Sequence, residues 1–456
     1  MTVACRLADF LTRTTAADLP PRALDYATMV IASTLASAAC GTQIESAQII
    51  RAMARDAGGR MDAPVWFDAG PKLPIAAAAQ VNAVLSDAAA SDDSDLRNIV
   101  HAGTPLTATS LAIAERDRRA GEDVLTAIVV GYEAAGRITE AITPQFKNRG
   151  FHGCLGAMFA AAVSAAKMLR LDADGMAQAI SIAATSIGGL ATAADTSVAR
   201  EYHAGAAALQ GVNAARAAQL GFKAETRILE APLGFFEAFG GIDGAAAGET
   251  ALRGLGESWD IVTDMAVKLV PGGHPYHALA EAAANAARDG NITPDDVDTI
   301  VIHRPGMAKL HGPLHPADLI DMAHSPAYFT AAGVADRRFS WDHAGPAKIA
   351  DPVIHRLIDK VRVGEPPAQD MASYRQGATV AIHTRDGRVV SNTVILPKGA
   401  GALGIDWADI DAKYRTLVPA SGLGAQTIED SLAVIHDFRR VTDVSTLTRL
   451  IAIGPA

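Results

Sequence analysis

The chain's 456 residues exceed one ordinary core, so two structural units are expected, each able to bury an apolar interior. With 49% hydrophobic and 20% charged residues it has the balance of a globular protein, and a formal net charge of −10 excludes a general nucleic-acid surface while allowing a local positive pocket for a small anion. Three widely spaced cysteines, Cys5, Cys40 and Cys154, give neither a disulfide framework nor a CxxC metal pair, and they fit a reducing cytoplasm.

The first residues, MTVACRLADFLTRTT, carry Asp9 and lack the apolar core and cleavage site of a secretory signal. No uninterrupted apolar run reaches the roughly 18 residues a membrane span needs, so no membrane association is expected. From Leu7 to about Arg253, Ala-rich segments with helical spacing alternate with short polar breaks. Helices are predicted over 21–39, 75–89, 105–119, 122–142, 174–185 and 204–220. The run CLGAMFAAAVSAAKMLRL, 154–171, is apolar nearly all round and predicts a helix packed on several sides. After Trp259 the pattern changes to a short extended piece, a Pro-Gly-Gly turn and a helix. VDTIVIHRP reads as a strand, and GATVAIHTRDGRVVSNTVIL reads as a hairpin around Asp386-Gly387. The tail from Asp406 to Leu450 returns to helical spacing and is expected to dock on the first bundle. The expected organisation is therefore mostly α: a large all-helical domain of residues 1–260 and 400–456, with a smaller α/β (α+β) lid domain of residues 261–399.

Five places could carry chemistry. SDDSDLRNIVHAGTP, 91–105, sets Asp92, Asp93 and His101 in a polar loop between apolar helices; helix capping by the aspartates, or by Thr104 with Pro105, is the competing explanation. In KNRGFHGCLGAMF, Lys147, Arg149 and His152 precede the buried helix, whose N-terminal N–H groups could receive an anion, although a solvated turn would look the same. AREYHAG places Arg200 and His203 just before an Ala-rich helix. Arg200 could clamp a carboxylate in bidentate fashion or pair with Glu201 or another nearby acid. KLVPGGHPYHALAEAA brings Lys268, His274 and His277 around a tight turn; a zinc reading is weaker because no HExxH occurs. Tyr328, in HSPAYFTAAGV, could donate to a carboxylate or be a core tyrosine. GxGxxG after a strand, GxxxxGK[ST] and GxSxG are all absent from the sequence, which removes support for nucleotide cofactors and acyl-serine chemistry.

In order and spacing these segments resemble the MmgE/PrpD family over nearly the whole chain. The resemblance runs through the acidic loop ending at His101, GYEAAGR at 131–137, GFH at 150–152, HAG at 203–205 and GFFEAFGG from Gly234. It continues through Lys268, Pro271 and His277 to SPAY at 325–328. It implies a helical domain with a smaller α/β lid, no metal or organic cofactor, a homodimer, and a small di- or tricarboxylate substrate from which a proton is removed beside a carboxylate. His101 and His152 would be base and acid, Lys268 and Arg200 carboxylate clamps, and Tyr328 a hydrogen-bond donor. Asp92 and Asp93 would orient a histidine or shuttle a proton, and His203, His274 and His277 would line the substrate. The leading expectation is a hydratase or dehydratase of 2-methylcitrate type. An epimerase or decarboxylase of iminodisuccinate or cis-aconitate type comes second, and a non-catalytic carboxylate-binding protein is a reading of another class. The chain departs from the family pattern at Ala90, where an aspartate is usual, at Arg200, where lysine is usual, at HAG in place of an HPG-like turn, and at Gly153 in place of proline. An arginine at 200 can supply charge but cannot act as a base.

Overall fold

Alanine loses no side-chain rotamers in a helix, and the Ala-rich first half is mostly helical in the computed structural model, which describes residues 1–368 and 370–452. The chain divides into unit 1, residues 1–194, 198–267 and 405–456, and unit 2, residues 195–197 and 268–404. In chain order the helices up to the first unit's end are α1 (Val3–Arg13), α2 (Pro21–Gly41), α3 (Glu45–Ala57), α4 (Ile75–Ala88), α5 (Gly103–Asp117), α6 (Gly121–Glu140), α7 (Gln145–Asn148), α8 (Cys154–Met168), α9 (Ala173–Ala184), α10 (Ala191–Thr196), α11 (Ala199–Gln219), α12 (Gly244–Leu252) and α13 (Asp260–Thr263). Helix α8 packs against α6, α9, α5 and α11, and α11 also lies on α4. Small residues let these axes approach: a Cβ on Gly205 of α11 would stand 2.5 Å from Val84 of α4, and one on Gly211 2.4 Å from Ala161 of α8.

Among the described residues helix α2 is long and apolar enough by composition to cross a membrane, but 89% of its apolar stretch is buried inside the fold, as befits a core helix. One expectation is corrected in unit 1, which is not purely helical. Strand β1 (Asp93–Asp95) lies in the segment expected to be a loop and pairs antiparallel with β2 (Met265–Val267), in the register Asp93↔Val267 and Asp95↔Met265. This pairing draws residues 261–267 into unit 1, so the division falls between Val267 and Lys268.

Unit 2 is the smaller α/β part. It contains α14 (His274–Asp289), β3 (Val297–His303), α15 (Leu319–Ala323), α16 (Pro326–Asp336), α17 (Pro346–Ile349), α18 (Pro352–Ile358), β4 (Val361–Val363), β5 (Ala378–Thr384) and β6 (Val389–Val394). The sheet order is β4-β3-β5-β6, with β3 and β4 parallel and the other pairs antiparallel. The hairpin signal at Asp386-Gly387 is realised as the β5–β6 turn, where Gly387 takes the left-handed φ of 86° that glycine adopts without penalty. Alternate residues of β3 and β5, such as Ile300, Ile302, Val380 and Ile382, pack on α14 and α16. The C-terminal helices α19 (Trp407–Leu417), α20 (Ala425–His436) and α21 (Ser445–Leu450) belong to unit 1. From α19 the buried Lys413 donates to Ser33 Oγ at 2.7 Å and to the Ser91 carbonyl, tying the tail to the acidic segment.

Candidate active site

The segment from Ser91 to Ala102 is polar, yet almost all of it is buried, so each of its polar groups needs a partner. Asp92, 0% exposed, places Oδ2 2.7 Å from His101 Nδ1, and the Asp93 carbonyl lies 2.8 Å from the same nitrogen. The Asp93 carbonyl accepts from Nδ1, and with the Asp92 carboxylate beside it this fixes the ring proton there and leaves the basic lone pair on Nε2. The Asp93 carboxylate turns elsewhere: Oδ2 accepts from Tyr132 Oη at 3.0 Å and from the Gly103 N–H at 3.1 Å. Burial, with the Asp92 carboxylate beside it, pushes Asp93 up to about 6. Capping thus holds for Asp93, which serves the first residue of α5 from a neighbouring strand, whereas Asp92 orients His101.

The second histidine is set by a close backbone approach. Residues 95–100 fold tightly, with Ile99 N–H donating to the Asp95 carbonyl at 2.7 Å and Ile99 held at a φ of 58°, a costly conformation for a β-branched residue. The carbonyls of Asn98 and Ile99 lie against Gly153, where a Cβ would stand 2.3 Å from Ile99 O. Gly153 is therefore required by proximity, not by a need for a freer backbone. The contact brings the His101 and His152 rings to 5.9 Å between centroids and 15° from parallel. At the start of α8 the Cys154 N–H donates to His152 Nδ1 at 3.3 Å, so this helix end receives an imidazole instead of an anion and the proton of neutral His152 sits on Nε2. Burial, with His101 and His203 beside it, holds His152 well below the usual imidazole range. Two stacked imidazoles therefore have opposite tautomers.

Helix α11 starts at Ala199, five residues earlier than its spacing predicts, so Arg200 and His203 lie within its first turns. Arg200 is 6% exposed; Nε stands 3.1 Å from Asp87 Oδ2 and Nη2 donates to the Asp87 carbonyl at 2.7 Å. That face of the guanidinium is committed to Asp87, which corrects its expected role as a bidentate substrate clamp; Glu201 pairs with Ser46 instead. Asp87 is the residue missed in the sequence, although one acid inside the apolar stretch IAAAAQVNAVLSDAAA was a visible signal. His203 lies 6.2 Å from His152 between ring centroids, and burial lowers it too.

Behind the histidines, the GYEAAGR segment is scaffold. Tyr132 holds Asp93; Glu133 pairs with Arg137 and accepts from the Asp260 N–H at 2.8 Å; Arg137 donates to the carbonyls of Arg253 and Gly254. Arg97 gathers Glu140 and Asp260 at 2.7 Å each and Asp264 at 3.3 Å. These buried charges pin the β1–β2 ribbon from which Asp92 and Asp93 project.

In unit 2, Lys268 is 1% exposed, and His274 and His277 are buried with ring centroids 4.6 Å apart. His277 also stacks on Phe329. Tyr328 is 0% exposed and donates to the His343 carbonyl at 2.9 Å, so its hydroxyl serves the core of this unit and not a substrate, a correction to the expected donor role. Unit 2 also holds a cavity of 550 Å³ lined by Asp195, Tyr276, His311, Asp321 and His324, where Tyr276 Oη and His311 Nε2 are 2.9 Å apart. His324 opens the HSPAYFTAAGV segment quoted for Tyr328 but was not singled out, and His311 stands outside every motif quoted above.

Comparison with known proteins decides the lineage. The MmgE/PrpD N-terminal domain matches residues 5–246 and the MmgE/PrpD C-terminal domain residues 271–436. The chain belongs to the MmgE/PrpD family. It is similar to the cis-aconitate decarboxylase of Homo sapiens, 24% identical over 453 residues that cover 96% of this chain and 92% of the relative. It is also similar to that of Mus musculus, 26% identical with 86% and 81% covered, and to that of Aspergillus terreus, 27% identical with 84% and 82% covered. An enzymatic role at family level, among dehydratases and decarboxylases, follows for this MmgE/PrpD chain.

Proposed function

We propose that the protein is a lyase that removes a proton beside a carboxylate of a small di- or tricarboxylate, as a hydratase or dehydratase. The observation that carries this is the pair of stacked imidazoles with opposite tautomers. His101, its Nδ1–H accepted by the Asp93 carbonyl with the Asp92 carboxylate beside it, presents the lone pair of Nε2 as general base. His152 presents Nε2–H while neutral, so it acts as a hydrogen-bond donor to the carboxylate that becomes enolate-like, in the manner of a neutral electrophilic histidine. Proton delivery to a departing hydroxyl follows once His101 carries the abstracted proton.

The names of the relatives favour a second reading, decarboxylation, in which carbon dioxide leaves instead of water and a histidine protonates the resulting carbanion. Proton NMR in heavy water with methylcitrate, citrate, cis-aconitate, malate and iminodisuccinate separates the readings. Deuterium at carbon with loss of water supports dehydration, and deuterium at the carbon that lost a carboxylate supports decarboxylation. Absence of exchange with every substrate would sink both.

A further inference from the structure

The same corner holds a ligand set of which the proposed acid–base chemistry uses only His152. His152, Cys154 and His203 each offer one ligand atom, and all three atoms lie within 4.8 Å of one another. We infer that these three side chains form an inhibitory site for a borderline-soft divalent ion of the zinc class. Capture of the ion stands on these residues alone; only its effect on turnover rests on the role proposed for His152.

Two imidazole nitrogens and one sulfur are ligands such ions favour over magnesium or calcium. A tetrahedral ion with ordinary zinc bond lengths sets its ligand atoms roughly 3.3–3.7 Å apart, so the side chains need to close by about 1 Å. Gly189 keeps these ligand atoms uncovered, since a Cβ there would stand 2.2 Å from Cys154 Sγ and 3.7 Å from His203 Nδ1. That Nδ1 is buried and has no hydrogen-bond partner among the described residues. His152 gives up its 3.3 Å bond from the Cys154 N–H when it turns to a metal.

Asp87, Asp92 and His101 make a second candidate group, but there the Arg200 guanidinium already lies against Asp87 and Asp92 holds His101. Cys154 is a protonated thiol, its pKa pushed up to about 12 by burial and by Asp87. Binding therefore exchanges the thiol proton for the metal: the S–H bond breaks, a sulfur–metal bond forms, and one proton leaves to solvent for each ion. An ion so held engages the His152 ring that the substrate needs.

Cobalt(II) is the probe, since its thiolate charge-transfer absorption reports sulfur ligation directly. Titration of the reduced full-length protein is expected to give that absorption, saturating at one equivalent and displaced by zinc. Cys154→Ser should abolish it, and Cys5→Ser and Cys40→Ser should keep it. His203→Ala should weaken binding by more than roughly tenfold, the least that even outer-sphere partners contribute. Zinc should stop deuterium exchange in the wild type and leave it running in Cys154→Ser, which retains every histidine. No absorption in the wild type, or absorption that survives Cys154→Ser or is indifferent to His203→Ala, overturns the site. Equal zinc inhibition of Cys154→Ser overturns its inhibitory role. A protein that exchanges no deuterium with any substrate but still binds cobalt through Cys154 would refute the catalytic reading and leave the metal site standing.

Discussion

Each unit contains a pair of near-parallel histidines, His101 with His152 at 5.9 Å and His315 with His355 at 5.1 Å between centroids. Their environments are opposite. His315 and His355 meet through their Nδ1 atoms at 2.9 Å, while Asp359 Oδ1 and the Ile349 carbonyl take the two Nε2 atoms at 3.0 and 2.7 Å. All four of those nitrogens are engaged on a solvent-exposed surface. In the first unit a backbone carbonyl beside a buried carboxylate acts on one Nδ1 and a helix N–H on the other, forcing opposite tautomers on rings that are otherwise alike. Stacking alone therefore says little about function; the groups behind each ring decide what it can donate or accept.

The sharpest way to break this comparison is to remove rings from both pairs. His101→Ala and His152→Ala are each expected to lower deuterium exchange by roughly 10²–10⁴-fold, whereas His315→Ala should stay within about twofold of wild type. Comparable losses from both units would end the distinction. Asp92→Asn comes next. An amide can offer N–H where His101 also needs to donate, so the ring is driven toward the wrong tautomer and kcat should fall on the order of 10²-fold or more, with little change in melting temperature.

Gly153→Ala tests the spacing with every catalytic group in place. The added Cβ, 2.3 Å from Ile99 O, must push the 95–100 turn or the start of α8 by about 1 Å, and displacements of that size cost up to roughly 10²-fold. An unchanged rate would show that the 5.9 Å separation is not what the chemistry uses.

What could be read in advance, and what could not, follows from the range of each interaction. His101 and His152 stood out because polar residues break apolar helical runs there, a local signal. The two units were equally visible in the shift from Ala-rich helical spacing to the alternation of VDTIVIHRP and GATVAIHTRDG. Arg200 was read toward a ligand because Asp87, its partner, lies 113 residues earlier, and Lys413 reaches Ser91 across 322 residues. Gly153 looked like a source of freedom because the carbonyl that excludes a side chain belongs to another segment. The hydroxyl of Tyr328 was undecidable in sequence, since a core donor and a substrate donor are the same residue type.

Asp93 sharpens the contrast through pH. Its folded value of about 6 stands above the ordinary 3.8, so the neutral form is the one the fold favours. The associated stability is fully present below about pH 4 and is lost as pH rises through about 6, a decline of up to roughly 3 kcal/mol. Asp93→Asn removes the titration. Urea unfolding between about pH 4 and pH 7 should show a shallower decline in the variant than in wild type, even though one hydrogen bond, from Tyr132 or from Gly103, is weakened at every pH. Parallel profiles would refute the assignment of this titration to Asp93.

The smallest effect belongs to Asp359, the exposed counterpart of Asp92. The two carboxylates hold their histidines at similar distances, 3.0 and 2.7 Å, but Asp359's side chain is 70% exposed and that of Asp92 is 0% exposed. Water competes for the exposed bond, salt screens it, and an asparagine oxygen at 359 can still accept from His315 Nε2. Asp359→Asn should therefore cost less than about 1 kcal/mol in urea unfolding and leave deuterium exchange unchanged. A loss of deuterium exchange as large as that expected for Asp92→Asn would mean that the distance to the histidine outweighs burial in this protein, and the contrast between the two histidine pairs would have to be rebuilt on geometry alone.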